Sequence, residues 1–416
     1  MFLPAGLSGR GETASQRELT RMDDVRLLHI ADVHLGGSGP AFGARVREHQ
    51  SRLQAAFARC IDVALFHRVH AVCIAGDLFD GPRPSERTLQ AAVRELRRLG
   101  EATPPIPGFL LPGTHDCLGA HCVYRRPEFR GPNLLVFDHE GPQTLRTADG
   151  AVAVHGSPQT SGARGHQPLK GLQPDPAAGV NVALAHGSVV RPGLIEDDSA
   201  LITREEIAAS GMDYVALGHW HDYGDPSVGG VTAAYSGSPE VVLVDQKSTG
   251  QALLVTFPAV ARAPVARPGG GGARVPAVQV IETGTLRCEA LALDPETHPD
   301  EAAIAAAIEG RGDAELLLEV TVAGLAPEGF TCDVARLQAE LAGRFFRLRI
   351  RDASVPPLTD LEHHLVSDQL ISGRAAALFE ERIAAARAAG DTEGERVAQR
   401  ALQLALALLQ GKEVLS

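Results

Sequence analysis

The sequence predicts an α/β layered fold, and three observations carry that prediction. Short apolar runs alternate with helix-like stretches from about residue 23 to 257. The runs are too short and too evenly apolar for amphipathic helices, as expected of strands buried on both faces. Five of them end in a polar residue able to bind a metal.

Taken in order, Leu27–Ala31 leads into Asp32 and His34, and Ala71–Gly76 into Asp77. Phe109–Gly113 leads into Thr114, His115 and Asp116. Asn181–Ala185 leads into His186, and Tyr214–Gly218 into His219, Trp220 and His221. A single strand-end histidine is ordinary, whereas five in succession put carboxylates and imidazoles along the sheet edge where α/β folds build their sites. Asp32 and His34 are two apart, as are His219 and His221, so an extended backbone would point each pair the same way. Gly76, Gly113 and Gly218 each precede a ligand candidate, where a missing Cβ permits a sharp turn and close backbone approach. Mixed Asp/His donors suit Mn, Fe or Zn, and two carboxylates with four imidazoles exceed one tetrahedral site. The simplest arrangement is two divalent cations bridged by one carboxylate, which suits phosphoryl displacement.

Between these runs, Arg45–Arg68 and Ser85–Leu99 read as helices. Residues 1–22 read as a disordered extension, with Met22 as an alternative start, and the Pro/Gly-rich stretch 258–277 reads as a linker. A smaller α/β unit over 278–353 has strands near 278–282, 286–293, 315–322 and 345–351 and helices near 299–308 and 333–342. Residues 354–416 read as C-terminal helices, with Gly390 as a stop and Thr392 with Glu395 as a capping box.

Composition narrows the function. A net charge of -12 excludes a general nucleic-acid coat but not a metallonuclease, whose ligands are themselves acidic. No apolar stretch has the length of a bilayer span, and no basic-then-apolar leader is present, so a soluble, cytoplasmic protein with no membrane partner is expected. The six cysteines show no framework spacing, and Cys117, His121 and Cys122 match no standard zinc pattern. His29 and His155 read as structural histidines, Asp80 and Asp116 as loop-stabilising carboxylates, and Arg125–Arg126 as a solvated pair. Trp220 reads as a packing residue, with stacking on a base as the competing role.

The runs Ala31–His34, Gly76–Asp80, Gly113–Asp116 and Gly218–His221 resemble the calcineurin-like metallophosphoesterases. Asp32–Gly36, Gly76–Asp80 and Tyr235–Glu240 resemble, within that group, the SbcD-type DNA-repair exonucleases. The resemblance covers residues 25–245 and, more weakly, the small unit, which is similar to a capping domain. It implies a layered metallophosphoesterase β-sandwich flanked by helices, with a smaller α/β capping domain and a helical C-terminal tail. It implies that Asp32, His34 and His221 hold a first metal, Asp77 bridges, and His186 and His219 hold a second. His115 would sit beside the scissile phosphate, and a metal-bound hydroxide would attack in line. Manganese is the metal the resemblance favours, with iron or zinc also accommodated. DNA is the implied substrate, and an SMC-like ATPase of SbcC type is the implied partner, through the helices of 363–410. The oligomeric state stays open, a homodimer among the options. Thr114 departs from the pattern, which has an asparagine ligand there. Three outcomes follow: water completes the shell, the second metal binds weakly, or catalysis is lost. The alternatives to a DNA nuclease are therefore a small-molecule phosphatase or phosphodiesterase and a degenerate, non-catalytic scaffold.

Overall fold

The computed structural model describes residues 24–37, 39–161, 164–259, 275–356 and 371–409. The disorder expected of 1–22 and most of the expected linker lie outside the described residues. The chain divides into two units, Met1–Thr285 and Leu286–Ser416.

Among the described residues, the first unit holds thirteen strands. They are β1 (Val25–Ile30), β2 (Ala71–Ala75), β3 (Gly108–Leu111), β4 (Leu134–Val136), β5 (Gln143–Arg146), β6 (Val152–Gly156) and β7 (Val180–His186). Then follow β8 (Ser188–Val189), β9 (Leu201–Ile202), β10 (Tyr214–Gly218), β11 (Thr232–Tyr235), β12 (Gln251–Phe257) and β13 (Ala277–Glu282). One sheet runs β13-β12-β1-β2-β3-β4, with β1 to β4 parallel. The other runs β11-β10-β7-β6-β5, parallel except for β5.

The sheets face one another across a common core. Leu27, Cys73, Phe109 and Leu111 of the first sheet meet Val154, Val182, Leu184 and Tyr214 of the second. Successive strand residues point to opposite faces, so Leu28 and Ile30 turn outward instead. There they meet Leu53 and Phe57 of α1 (Val46–Phe66) and Leu89 and Leu96 of α2 (Glu86–Glu101). The helix α3 (Arg204–Ala209) covers the outer face of the second sheet through Ile207. Both faces of the central strands are thus buried, which explains their continuous apolar runs. Phe109 is fully buried in the shared core, where truncation to alanine costs about 3–5 kcal/mol.

The second unit is a parallel sheet, β14 (Arg287–Leu293), β15 (Asp313–Val322) and β16 (Phe345–Asp352), in that spatial order. The helices α4 (Glu301–Glu309) and α5 (Val334–Leu341) connect the strands and bury Ile304, Ile308, Leu337 and Leu341 against them. A helical hairpin follows, α6 (Ile371–Ala389) and α7 (Thr392–Leu409), closed by Leu402 and Leu406 packing on Phe379 and Ile383.

Two sequence expectations are corrected. The strand near 278–282, read as part of the small unit, is β13 and pairs antiparallel with β12. Its residues are half-exposed or exposed throughout, so no apolar signature announces which sheet it joins. The cap of α7 is Asp391, whose side chain accepts the Gly394 N–H at 2.9 Å, one residue before the expected Thr392. Gly390 does end α6, at φ 70°.

Candidate metal centre

Parallel strands of both sheets deliver the site. β1, β2 and β3 bring Asp32, His34, Asp77 and His115 to one end of the first sheet. β7 and β10, neighbours in the second sheet, bring His186, His219 and His221. The donors are thus consecutive in the chain but come from two facing sheets, so the site lies where two sets of C-terminal strand ends converge.

The side chains form three overlapping groups: Asp32 with His34 and His221, His34 with Asp77 and His115, and Asp32 with Asp77 and His186. Within each, one ligand atom per residue lies within 4.8 Å of the others. Asp77 and His34 each belong to two groups, and Asp32 also links two. His219 falls outside these groups, although its ring centroid is 5.3 Å from that of His186. Its backbone N–H donates to both Asp32 oxygens, at 3.0 and 2.9 Å.

The local backbone explains how the donors aim inward, and it corrects the extended-strand reading. Asp32, His34 and Asp77 have φ of 53°, 49° and 52°, and His219 has φ 108°. Left-handed conformations are uncommon outside glycine, cost of order 1–3 kcal/mol each, and concentrate at functional sites. All three glycines that precede ligand candidates are required by close packing, Gly218 because a Cβ there would lie 2.0 Å from the Ala75 carbonyl oxygen. A Cβ on Gly76, itself at φ +94°, would lie 2.1 Å from His186 Nδ1. A Cβ on Gly113 would lie 2.3 Å from Asp77 Oδ1. These glycines therefore make room for the candidate ligands themselves.

Three of the four ligand histidines have one ring nitrogen engaged by an outer acceptor. His34 Nδ1 meets Asp80 Oδ1 at 3.2 Å, His186 Nδ1 meets the Ala75 carbonyl at 2.9 Å, and His219 Nε2 meets Asp198 Oδ2 at 2.9 Å. Such acceptors fix the tautomer and leave the opposite nitrogen's lone pair for a cation. In His34 that opposite atom, Nε2, is buried without a hydrogen-bond partner, and so is His221 Nδ1. Unpaired buried nitrogens are costly, so these donors fit a cation chemically and sterically. Asp80 thus orients a ligand histidine and is not simply a loop-stabilising carboxylate. Asp116 does stabilise its loop, accepting from Gly113 N, Phe79 N and Tyr124 Oη at 2.8, 3.1 and 2.6 Å.

Thr114 sits among the donors. Its hydroxyl donates to Asp77 Oδ2 at 3.1 Å and lies 3.4 Å from His186 Nε2. The His115 side chain is 50% exposed, with Nδ1 3.3 Å from the Asp80 carbonyl, while its backbone N–H donates to Asp77 Oδ1 at 2.8 Å. The Ser238 N–H donates to the His221 carbonyl at 2.9 Å, which ties the Tyr235–Glu240 motif to the site. His29 meets Tyr214 Oη at 3.0 Å, and His155 meets Thr144 Oγ1 and Asn181 Oδ1, both at 2.9 Å.

Charge in the metal-free site follows from burial and proximity. Burial pushes the Asp32 carboxyl up to about 7 despite His186. Burial also opposes ionisation of Asp77, but His186 and His34 overcome it and hold this carboxyl well below its usual range. Burial disfavours the His186 cation, yet Asp77 and Asp32 raise it to about 10. Burial and the neighbouring His34 push His221 down to about 3. The centre therefore holds protons where a cation's charge would serve instead.

Asp198 and the role of Asp80 were missed by sequence reasoning. Asp198 lies between β8 and β9 in an irregular acidic stretch, and nothing in its spacing announces His219 as its partner.

Comparison with known proteins agrees with this geometry. The family model for the calcineurin-like phosphoesterases matches residues 25–223. The DNA double-strand break repair protein Mre11 of Methanopyrus kandleri is 31% identical over 235 residues, 52% of this chain and 49% of that protein. Mre11 of Saccharolobus solfataricus is 25% identical over 228 residues, covering 52% and 55%. The uncharacterized metallophosphoesterase YhaO of Bacillus subtilis is 25% identical over 213 residues, covering 48% and 49%. The chain thus spans about half the length of the curated relatives it matches. Matched motif, sandwich and converging donors agree: residues 25–223 match the calcineurin-like phosphoesterase domain and are similar to part of the Mre11 proteins.

Proposed function

We propose that the protein is a metal-dependent phosphodiester hydrolase acting on DNA, in the manner of the SbcD-type repair nucleases. The observation that carries the reading is the overlap of the three donor groups, with Asp77 common to the groups containing His34 and His186. Asp32, His34 and His221 would hold one divalent cation, and His186 with His219 a second, Asp77 serving both. Manganese suits this donor set, as do iron and zinc. Such a pair supplies Lewis acidity toward a phosphate and lowers the pKa of bound water.

The protein's own residues do the rest. Asp80, Asp198 and the Ala75 carbonyl hold three imidazoles in the ligating tautomer. The half-exposed His115 would face the scissile phosphate and deliver a proton to the leaving oxygen. The Thr114 hydroxyl, already within hydrogen-bond reach of Asp77, would leave a wider opening than a carboxamide at the second cation's edge. Mre11 names on the relatives support DNA as the substrate. An SMC-like ATPase remains the proposed partner, supported by the exposed Leu378, Val397 and Leu408 of the helical hairpin.

The test is hydrolysis by metal-stripped protein resupplied with Mn. Labelled single- and double-stranded DNA and bis-p-nitrophenyl phosphate serve as substrates, with Asp77→Asn as control. DNA cleavage that falls by roughly a thousandfold or more in the variant is expected. Cleavage of the small diester alone would turn the reading toward small-molecule substrates. No cleavage, with one Mn bound per chain, would leave a non-catalytic scaffold.

A further inference from the structure

Trp220 stands between two candidate ligands, His219 and His221. It is 44% exposed, unusual for so large an apolar ring in a strand-end turn. The indole is nevertheless tethered at its polar edge. Its Nε1–H donates to Ser188 Oγ at 3.0 Å, and the Ser188 hydroxyl in turn donates to Asp198 Oδ2 at 2.5 Å. That carboxylate oxygen also meets His219 Nε2 at 2.9 Å. Ser188 is fully buried and Asp198 is about one-quarter exposed, so the tether is anchored inside the domain. One carboxylate therefore fixes both the ligand imidazole and the orientation of the indole.

An aromatic ring held by its edge loses little freedom when something stacks on its face, and stacking on an indole needs no particular base. Building on the DNA-hydrolase reading, we infer that Trp220 is a stacking platform for an unpaired base of single-stranded DNA, held in place beside the metal centre by Ser188 and Asp198. A nucleotide seated there stands within a short reach of the candidate ligands on either side of Trp220. The preference this creates is for unpaired ends over intact duplex, because a paired base keeps its faces covered by its neighbours in the stack. The negative charge of the chain fits the same division of labour: stacking supplies affinity that phosphate neutralisation by a basic surface would otherwise provide.

Trp220 is the single tryptophan of the chain, so its emission reports on this ring alone. The probe is a short oligothymidylate added to Mn-loaded His115→Ala protein, which keeps every candidate ligand while slowing turnover. Binding is followed independently by anisotropy of a labelled oligonucleotide. Emission is expected to be quenched by the oligothymidylate and not by an abasic oligomer of the same length and charge. Trp220→Ala is expected to weaken single-strand binding by roughly tenfold or more, and Trp220→Phe to retain most of it. Ser188→Ala is expected to reduce the quenching by releasing the indole edge. Binding without quenching, or equal quenching by the abasic oligomer, would overturn the platform and leave the nuclease reading standing. Absence of any DNA binding by anisotropy would overturn the nuclease reading itself.

Discussion

The two units follow local rules to different degrees. Among the described residues, every buried polar or charged side chain except Gln403 belongs to the first unit. All the non-glycine residues with positive φ lie there too, and four of the five are Asp32, His34, Asp77 and His219. Apart from Gln403, the second unit is built of alternating strands, capped helices and an apolar core. The difference teaches where each unit's free energy goes. The second unit satisfies most of its local preferences, Arg400 Nε being buried without a hydrogen bond, whereas the first accepts strained dihedrals and unpaired imidazoles to hold a reactive arrangement.

The largest test of this contrast compares two glycines in the left-handed region. Gly76 (φ +94°) has His186 Nδ1 2.1 Å from where a Cβ would be, whereas Gly329 (φ +79°) in the second unit has nothing within 4 Å. Gly329→Ala should cost only the dihedral preference, about 1 kcal/mol. Gly76→Ala should cost several times that and displace His186, seen as lost Mn binding by calorimetry as well as a lower melting temperature. Equal destabilisation by the two would mean that the site is no more tightly built than an ordinary turn.

A second test uses protons. In the metal-free protein His186 is raised to about 10 by Asp77 and Asp32 against the opposing effect of burial, from an ordinary value of 6.5. A raised histidine contributes stability that is fully present below its unfolded pKa and is lost as pH climbs through the folded one. Asp32, raised by burial from 3.8 to about 7, penalises the native state progressively across that interval and completely above it. Asp77 is held low, so its contribution is lost only under strong acid. From about pH 7 to about pH 8.5 the chelated protein should therefore lose about 2 kcal/mol. Mn should reverse the trend, because its ligands must be deprotonated. Melting curves in chelator and in Mn at the two pH values decide the matter. A chelated melting temperature that held steady or rose would contradict the proposed proton inventory.

How much of this was legible in the sequence depends on the range of the interactions. The strand-then-glycine-then-ligand pattern is local, so Asp32, His34, Asp77, His115, His186, His219 and His221 could be named before any fold was known, and the structure brings most of them within a few ångströms. Their left-handed backbone was not legible, because asparagine, aspartate and histidine visit that region too rarely for a residue type to announce it. Asp198 was hidden because its meeting with His219 spans 21 residues, with β9, α3 and β10 between them, so no local spacing pairs the two. Sheet membership of β13 was hidden for the opposite reason: an exposed edge strand carries no apolar pattern to assign.

The smallest effect concerns the buried polar exception in the second unit. Gln403 of α7 is buried, and its Nε2 donates to the carbonyls of Ala326, Val355 and Pro356 at 3.1, 3.2 and 2.8 Å. These carbonyls lie in the segments that follow β15 and β16, so Gln403, together with the Arg400–Glu296 ion pair, fastens α7 to the sheet's own unit. The inner face of α7 packs on its own unit, whereas Leu378, Val397 and Leu408 of the hairpin are exposed. Gln403→Ala should cost about 1–3 kcal/mol, the penalty for leaving buried carbonyls unpaired. It should leave hydrolysis of bis-p-nitrophenyl phosphate unchanged. Gln403→Glu should cost more near neutral pH, where a carboxylate would face three acceptors, and should recover toward wild type in mild acid as it protonates and regains a donor. Thermal unfolding of both variants across that pH range tests the assignment. A glutamate variant as stable as wild type at neutral pH would show that the three carbonyls do not hold α7.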